Sequence, residues 1–235
     1  MRKLTALLLA LALTLGLSAA FADTKITVTG SGEVLIPADV AVISLGVNVR
    51  SAEAPSAQAE ANEVIAKIRE ALTAAGIDEE DISTGYINLY AAYDYSSSVE
   101  RITGYNASST LAVKVRDMTR VGEVIDLAFG AGANMLDGVS FSAKDDTAAR
   151  AEALKAAVAD AKAKADVLAE AAGLGKLEID SIAESGVYAY DSGTNNFSAK
   201  GMITEQAEDA ATVIRAAKIC VSASVTITYE AKEKD

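Results

Sequence analysis

Along residues 40–50 apolar side chains fall at every second position, Ile43, Leu45, Val47 and Val49, with Ser44, Gly46, Asn48 and Arg50 between them. A two-residue period puts alternate side chains on opposite faces of an extended chain, so this segment predicts a strand with one buried and one wet face. Leu111, Val113 and Val115 alternate with Thr110, Lys114 and Arg116. Val221, Ala223, Val225, Ile227 and Tyr229 alternate with Ser222, Ser224, Thr226, Thr228 and Glu230. Less regular runs at 25–32, 85–95, 135–143 and 179–190 predict four further strands. Clean alternation belongs to antiparallel sheets with one covered face.

Between these runs the period lengthens to that of a helix. Over 56–75 the apolar positions Ala61, Val64, Ile65, Ile68 and Leu72 form one stripe, Ser56 is placed to cap the start, and Gly76 supplies the left-handed stop. Asp117 is placed to cap a shorter helix through Val121, Val124, Ile125 and Ala128. A third helix, 147–172, opens behind Asp145-Asp146 and ends at Gly173. Its predicted seam is Leu154, Val158, Ala161, Ala165 and Leu168, and Asp160 and Lys164 are spaced to pair on its outer face. In chain order the pieces read β-α-β-β twice, an α+β fold of mostly antiparallel sheets covered on one face by alanine-rich helices. This predicts an internal duplication, about 24–116 and 117–235, echoed by the helix exits Leu72-Thr73-Ala74-Ala75-Gly76-Ile77 and Ala169-Glu170-Ala171-Ala172-Gly173-Leu174. Residues 191–202, rich in Gly, Ser and Asn, predict a loop. Residues 204–218 predict a short helix with Val213 and Ile214 on its apolar side, so 191–218 reads as an insertion.

The N-terminus changes the picture of where the protein works. Arg2-Lys3, an apolar run from Leu4 to Leu17 and the small-residue pattern Ala20-Phe21-Ala22 predict a signal peptide over 1–22 and export of a mature domain, 23–235. The apolar run is shorter than the ~20 residues that span a bilayer, and the mature chain carries no comparable stretch. Periplasmic, cell-surface and secreted destinations all fit. A chain of this length buries enough surface to fold without disulfides, and one cysteine cannot make one internally. The net charge of −12 argues against nucleic acid and anionic lipid as partners. With no histidine in 235 residues, the commonest general base and metal ligand is missing.

The remaining chemistry is sparse. Gly30-Ser31-Gly32 follows a strand, but Leu35 and Pro37 stand where a dinucleotide motif needs glycine and an opening helix, so it reads as a strand end or bulge. Cys220 is the candidate for redox chemistry or intermolecular pairing. Alternation puts it on the wet face with Ser222 and Ser224, and Lys218 is placed to lower its pKa. Asp78-Glu79-Glu80-Asp81 lacks the spacing of a calcium loop and predicts a solvated turn. No Gly-x-Ser-x-Gly elbow supports serine hydrolysis. Tyr86, Tyr90, Tyr93, Tyr95 and Tyr105 concentrate around one hairpin, with Tyr86 and Tyr90 on one face and Tyr93 and Tyr95 on the other. They are the interface candidates, set against ordinary cross-strand pairing. No catalytic residue, metal ligand or cofactor-binding residue is assigned.

Several blocks resemble the SIMPL-domain family. They are Val28-Thr29-Gly30-Ser31-Gly32-Glu33-Val34 with Pro37-Ala38-Asp39-Val40-Ala41, then Thr103-Gly104-Tyr105-Asn106-Ala107-Ser108, and Gly132-Ala133-Asn134 with Val139-Ser140-Phe141-Ser142. The Ala/Lys-rich stretch 148–173 and the closing run 221–230 complete the set, in family order and across nearly the whole mature chain. The resemblance implies an exported bacterial protein of a family without accepted catalytic residues, whose members include oxidative-stress-associated proteins, immunogenic antigens and ring-like oligomers. The segment before the last strand departs from many members, being Ser/Asn-rich. The expected function is self-assembly as a homo-oligomer, or protein-partner contact, without catalysis. The alternatives are a small-ligand module with a cleft between the two β-α-β-β units, and an enzyme working without histidine.

Overall fold

A computed structural model describes residues 24–94, 96, 100–192 and 212–231. The leader at 1–22, most of the 191–218 insertion and Tyr95 lie outside the described residues. Seven strands and three helices follow in the order β1 (Thr24–Pro37), β2 (Val40–Ser51), α1 (Ala54–Ala74), β3 (Ile82–Asp94), β4 (Arg101–Val115), α2 (Val121–Gly130), β5 (Met135–Ser142), α3 (Thr147–Ala171), β6 (Leu177–Asp191) and β7 (Lys218–Ala231). The fold is α+β, with two antiparallel sheets ordered β3-β4-β2-β5 and β1-β7-β6. Two strands change what the chain order suggested. β5 pairs with β2, and the strand beside β7 is β1, so the element common to both sheets is a helix followed by an outer and then an inner strand.

The described residues divide into two compact units, one built from Thr24–Gly32, Leu154–Gly186 and Ser224–Ala231, the other from those within Glu33–Ala153 and Val187–Ala223. In the second, β2 is one of the two inner strands of the four-stranded sheet, between β4 and β5. Its alternation is borne out: Ile43, Leu45, Val47 and Val49 are buried, opposite Val113, Leu111, Ser109 and Ala107 of β4. β5 pairs with the other edge of β2 through a bulge at Ser44/Leu45.

α1 covers one face of this sheet. It starts two residues before Ser56, which caps nothing; Glu53 is the cap position and Pro55 occupies the first turn, where a missing N–H costs no bond. Ala57, Ala61, Ile68 and Leu72 are buried, with Val64, Ile65 and Tyr105 packed at the margin of the cluster made by Val47, Val49, Ala57, Ala61 and Ala107. Burying each Ile or Leu contributes about 1.5–3 kcal/mol. α2 buries Val121, Val124, Ile125 and Ala128 as its period predicts. Asp117 caps the preceding 3-10 turn Met118–Arg120, accepting the Thr119 N–H at 2.9 Å.

α3 packs differently. Its buried stripe is Ala149, Ala153, Ala157, Ala161, Ala165 and Ala169, which keeps Ala161 and Ala165 of the predicted seam; Leu154 is half-buried, Val158 and Leu168 face outward, and Val167 is 65% exposed. The reason is contact distance. A Cβ on Gly30 of β1 would lie 2.0 Å from the Ala157 carbonyl oxygen and 2.7 Å from Ala161 Cβ, so backbone meets backbone and larger side chains do not fit. Gly30 therefore sits mid-strand, in contact with a helix, and is not a strand end. Asp160 and Lys164 are paired at 2.7 Å, but they also reach β1: Asp160 accepts the Ser31 N–H at 2.8 Å and Lys164 donates to the Thr29 carbonyl at 3.0 Å.

The helix exits of α1 and α3 do close alike. Ile77 N–H bonds Leu72 O and Leu174 N–H bonds Ala169 O, with Gly76 and Gly173 at positive φ. α2 ends the same way, Ala133 N–H on Ala128 O, so the likeness follows from glycine-assisted termination in general. Residues 212–217 are irregular where a helix was predicted, and Val213 is exposed.

Candidate interaction surface

β3 is an outer strand of the four-stranded sheet, and from Ser83 to Tyr90 every residue is exposed. Its pairing with β4 explains why. Ile87 lies opposite Ser109 and Leu89 opposite Ala107, on the face that α1 covers further in; α1 meets β3 at Ile82, where Arg69 donates to the carbonyl at 3.0 Å, yet Ile87 remains 60% exposed. The pairing runs unbroken only from Ile87 to Ala92, with register shifts at Thr84/Ile87 and Ala92/Tyr93. At the first shift Thr110, fully buried, accepts the Tyr86 N–H at 3.0 Å. At the second, the Thr103 hydroxyl donates to the Ala92 carbonyl at 3.2 Å and accepts from Arg50 at 2.9 Å.

Tyr86 and Tyr90 come together on the face without α1, as the spacing predicts. The Tyr86 hydroxyl donates to Met135 Sδ at 3.9 Å on β5. Partial burial raises its pKa above the ordinary tyrosine value, with Asp137 and Tyr90 adding smaller effects of the same sign. Tyr93 is also exposed, opposite Ile102. Tyr105 differs from the others in that it is half-buried against the α1 cluster, where it packs as core. Tyrosines with one apolar side and one wet hydroxyl suit contact surfaces.

Cys220 is buried, a correction to its predicted wet face. The alternate positions Ser222 and Ser224 of β7 are themselves half-buried, and Tyr190 of β6 lies against the thiol. A hydrogen bond with Cys220, then the sulfur's charge, raises the Tyr190 pKa.

The acidic turn is likewise not wholly solvated. Asp81 is buried and takes a bidentate ion pair from Arg116, with the Arg116 Nη2 to Asp81 Oδ1 distance 2.9 Å and Lys114 3.9 Å away. Charge counting alone cannot find this pair; the signal was the basic alternation Lys114/Arg116 at the end of β4. A groove of 640 Å³ beside α3 is lined by Val158, Lys162, Asp166, Leu174, Ile179 and Tyr229, but its Lys162 and Asp166 already pair with each other at 2.6 Å. Among the described residues, no three Asp, Glu or Cys side chains gather as a metal ligand set, and no helix is long and apolar enough to cross a membrane.

The resemblance blocks prove to be structural fittings. Gly30 and Ser31 seat α3, and Thr103 fills the β4 bulge. The Asn134 side chain mimics a peptide, accepting the Asn48 N–H at 2.8 Å and donating to the Asn48 carbonyl at 2.9 Å, which extends the β5 ladder.

Comparison with known proteins agrees with the motif reading. A family profile for SIMPL, described as a protein of unknown function (DUF541), matches residues 26–229. The 26 kDa periplasmic immunogenic protein of Brucella melitensis is 33% identical over 142 residues, 58% of this chain and 57% of that protein. The uncharacterized protein YggE of Escherichia coli K12 is 29% identical over 136 residues, 58% of this chain and 55% of that protein. The aligned stretch thus spans little more than half the length of these relatives. The profile match over most of the sequence, carried by blocks whose structural work is now visible, makes this chain a member of the SIMPL family.

Proposed function

We propose that the chain is an exported, non-enzymatic protein that works by self-assembly or by contact with a protein partner, in envelope or oxidative-stress physiology. The observation that carries this reading is the β3 edge, a long outer strand with apolar side chains exposed on both faces and no charge from Ser83 to Tyr93. Such an edge offers unpaired backbone groups to another chain. The clustered Tyr86 and Tyr90 enlarge the same surface. Export is supported by the leader pattern and by the Brucella relative's name, which calls that protein periplasmic. Light scattering of exported protein at micromolar concentration is expected to give a mass above that of one chain, and intact-mass spectrometry a first residue of Asp23. A strict monomer that also retains no partner would contradict the proposal.

A further inference from the structure

We propose that β3 pairs with β3 of a second copy, antiparallel and across a two-fold axis, joining two four-stranded sheets into one. This rests on the self-assembly reading above and narrows it to one edge and one partner. Four strands lie at sheet edges: β3 and β5 in one sheet, β1 and β6 in the other. Three of them carry the features that keep edges from pairing. β1 holds Lys25 and Glu33 and ends at Pro37. β5 is only eight residues long and carries Asp137 beside its bulge. β6 holds Glu178, Asp180, Glu184 and Asp191. β3 alone has no charge or proline across its length until Asp94.

Charge also selects the occupant. At net −12 two copies repel at long range, and close approach is least opposed where no carboxylate stands. If β6 of a second copy lay on β3, it would bring its carboxylates Glu178, Asp180 and Glu184 against a strand that carries no base. β3 against β3 desolvates no charge. It sets Ile87 and Leu89 of the two copies side by side on one face, and Tyr90 on the other. The unbroken stretch from Ile87 to Ala92 centres on Leu89 and Tyr90, and a two-fold pairing places one central residue opposite its own copy.

Two sets of variants of the mature chain test this. Ile87→Glu is expected to lower the light-scattering mass by at least half, while the matched Ile182→Glu on β6 leaves it at the parental value; circular dichroism and thermal melting check that both fold. In a Cys220→Ser background, single cysteines at Asn88, Leu89 and Tyr90 are oxidised. At least one is expected to give a disulfide-linked dimer, and Ile182→Cys none. If Ile87→Glu keeps the parental mass, or none of the three cysteines crosslinks, the β3 pairing is overturned while self-assembly by another surface stands. A parent that is already monomeric overturns both. Should Ile87→Glu fail to fold, the cysteine scan decides alone.

Discussion

The segments α1-β3-β4 and α3-β6-β7 share one local plan, a helix followed by an outer and an inner strand, but they solve packing and edge protection in opposite ways. α1 fills the space over its sheet with branched side chains, burying Ile68 and Leu72. α3 buries only alanines and comes close enough to touch Gly30 of β1. β6 carries four carboxylates and β3 none before its last residue. The same topology thus yields one half whose helix is tightly seated and whose edge is guarded, and one half whose edge is left open. Fold and edge use are separable.

The helix contrast breaks most sharply under substitutions of opposite size. Leu72→Ala removes buried branched volume under α1 and is expected to cost about 3 kcal/mol through transfer loss and cavity. Gly30→Val adds volume where none exists and is expected to cost about 3 kcal/mol or more, because backbone must part from backbone. Urea denaturation of both variants measures this. If Gly30→Val were as stable as the parent, the close contact between β1 and α3 would be refuted.

A smaller effect is expected at Asp81. Its carboxylate is buried while Arg116 is half exposed, so Asp81→Ala leaves a charge that water can still reach, and the cost falls to about 1–2 kcal/mol. Thermal melting against Lys114→Ala, whose ammonium stands further off, separates the bidentate pair from general charge balance.

The smallest effect is pH dependence at the α3 seat. Lys164, and then the Ser31 N–H, hold the Asp160 carboxyl below the ordinary aspartate value of about 3.9. A depressed folded pKa stabilises the native state above the unfolded value, and that contribution is lost as pH falls through the folded one. Asp160→Asn should therefore flatten the acid limb of the stability profile below about pH 4 and leave the neutral plateau nearly parallel. An unchanged acid limb would mean the clamp on β1 contributes nothing.

Much of this was legible in the chain. Two-residue alternation locates β2, β4 and β7 because each has one covered face, and glycine marks all three helix exits. What escaped has definite physical causes. A hydrophobic period weights large side chains, so it chose Val158 and Leu168 for the α3 seam, whereas the close approach of Gly30 admits only alanine. Alternation extended back from Val221 exposed Cys220, but Tyr190 on the neighbouring strand covers it. Asp81 looked solvated because its partner, Arg116, is distant in sequence. The tyrosine cluster was legible as a surface. That β3 is an outer strand depends on sheet order, which local spacing does not encode.

Hydrogen exchange of backbone amides at several protein concentrations tests the central claim most directly. The account predicts that amides within Ile87–Ala92 become more protected as concentration rises, while those of the β6 edge exchange at a constant rate. Equal exchange of the β3 amides in dilute and concentrated solution would contradict it.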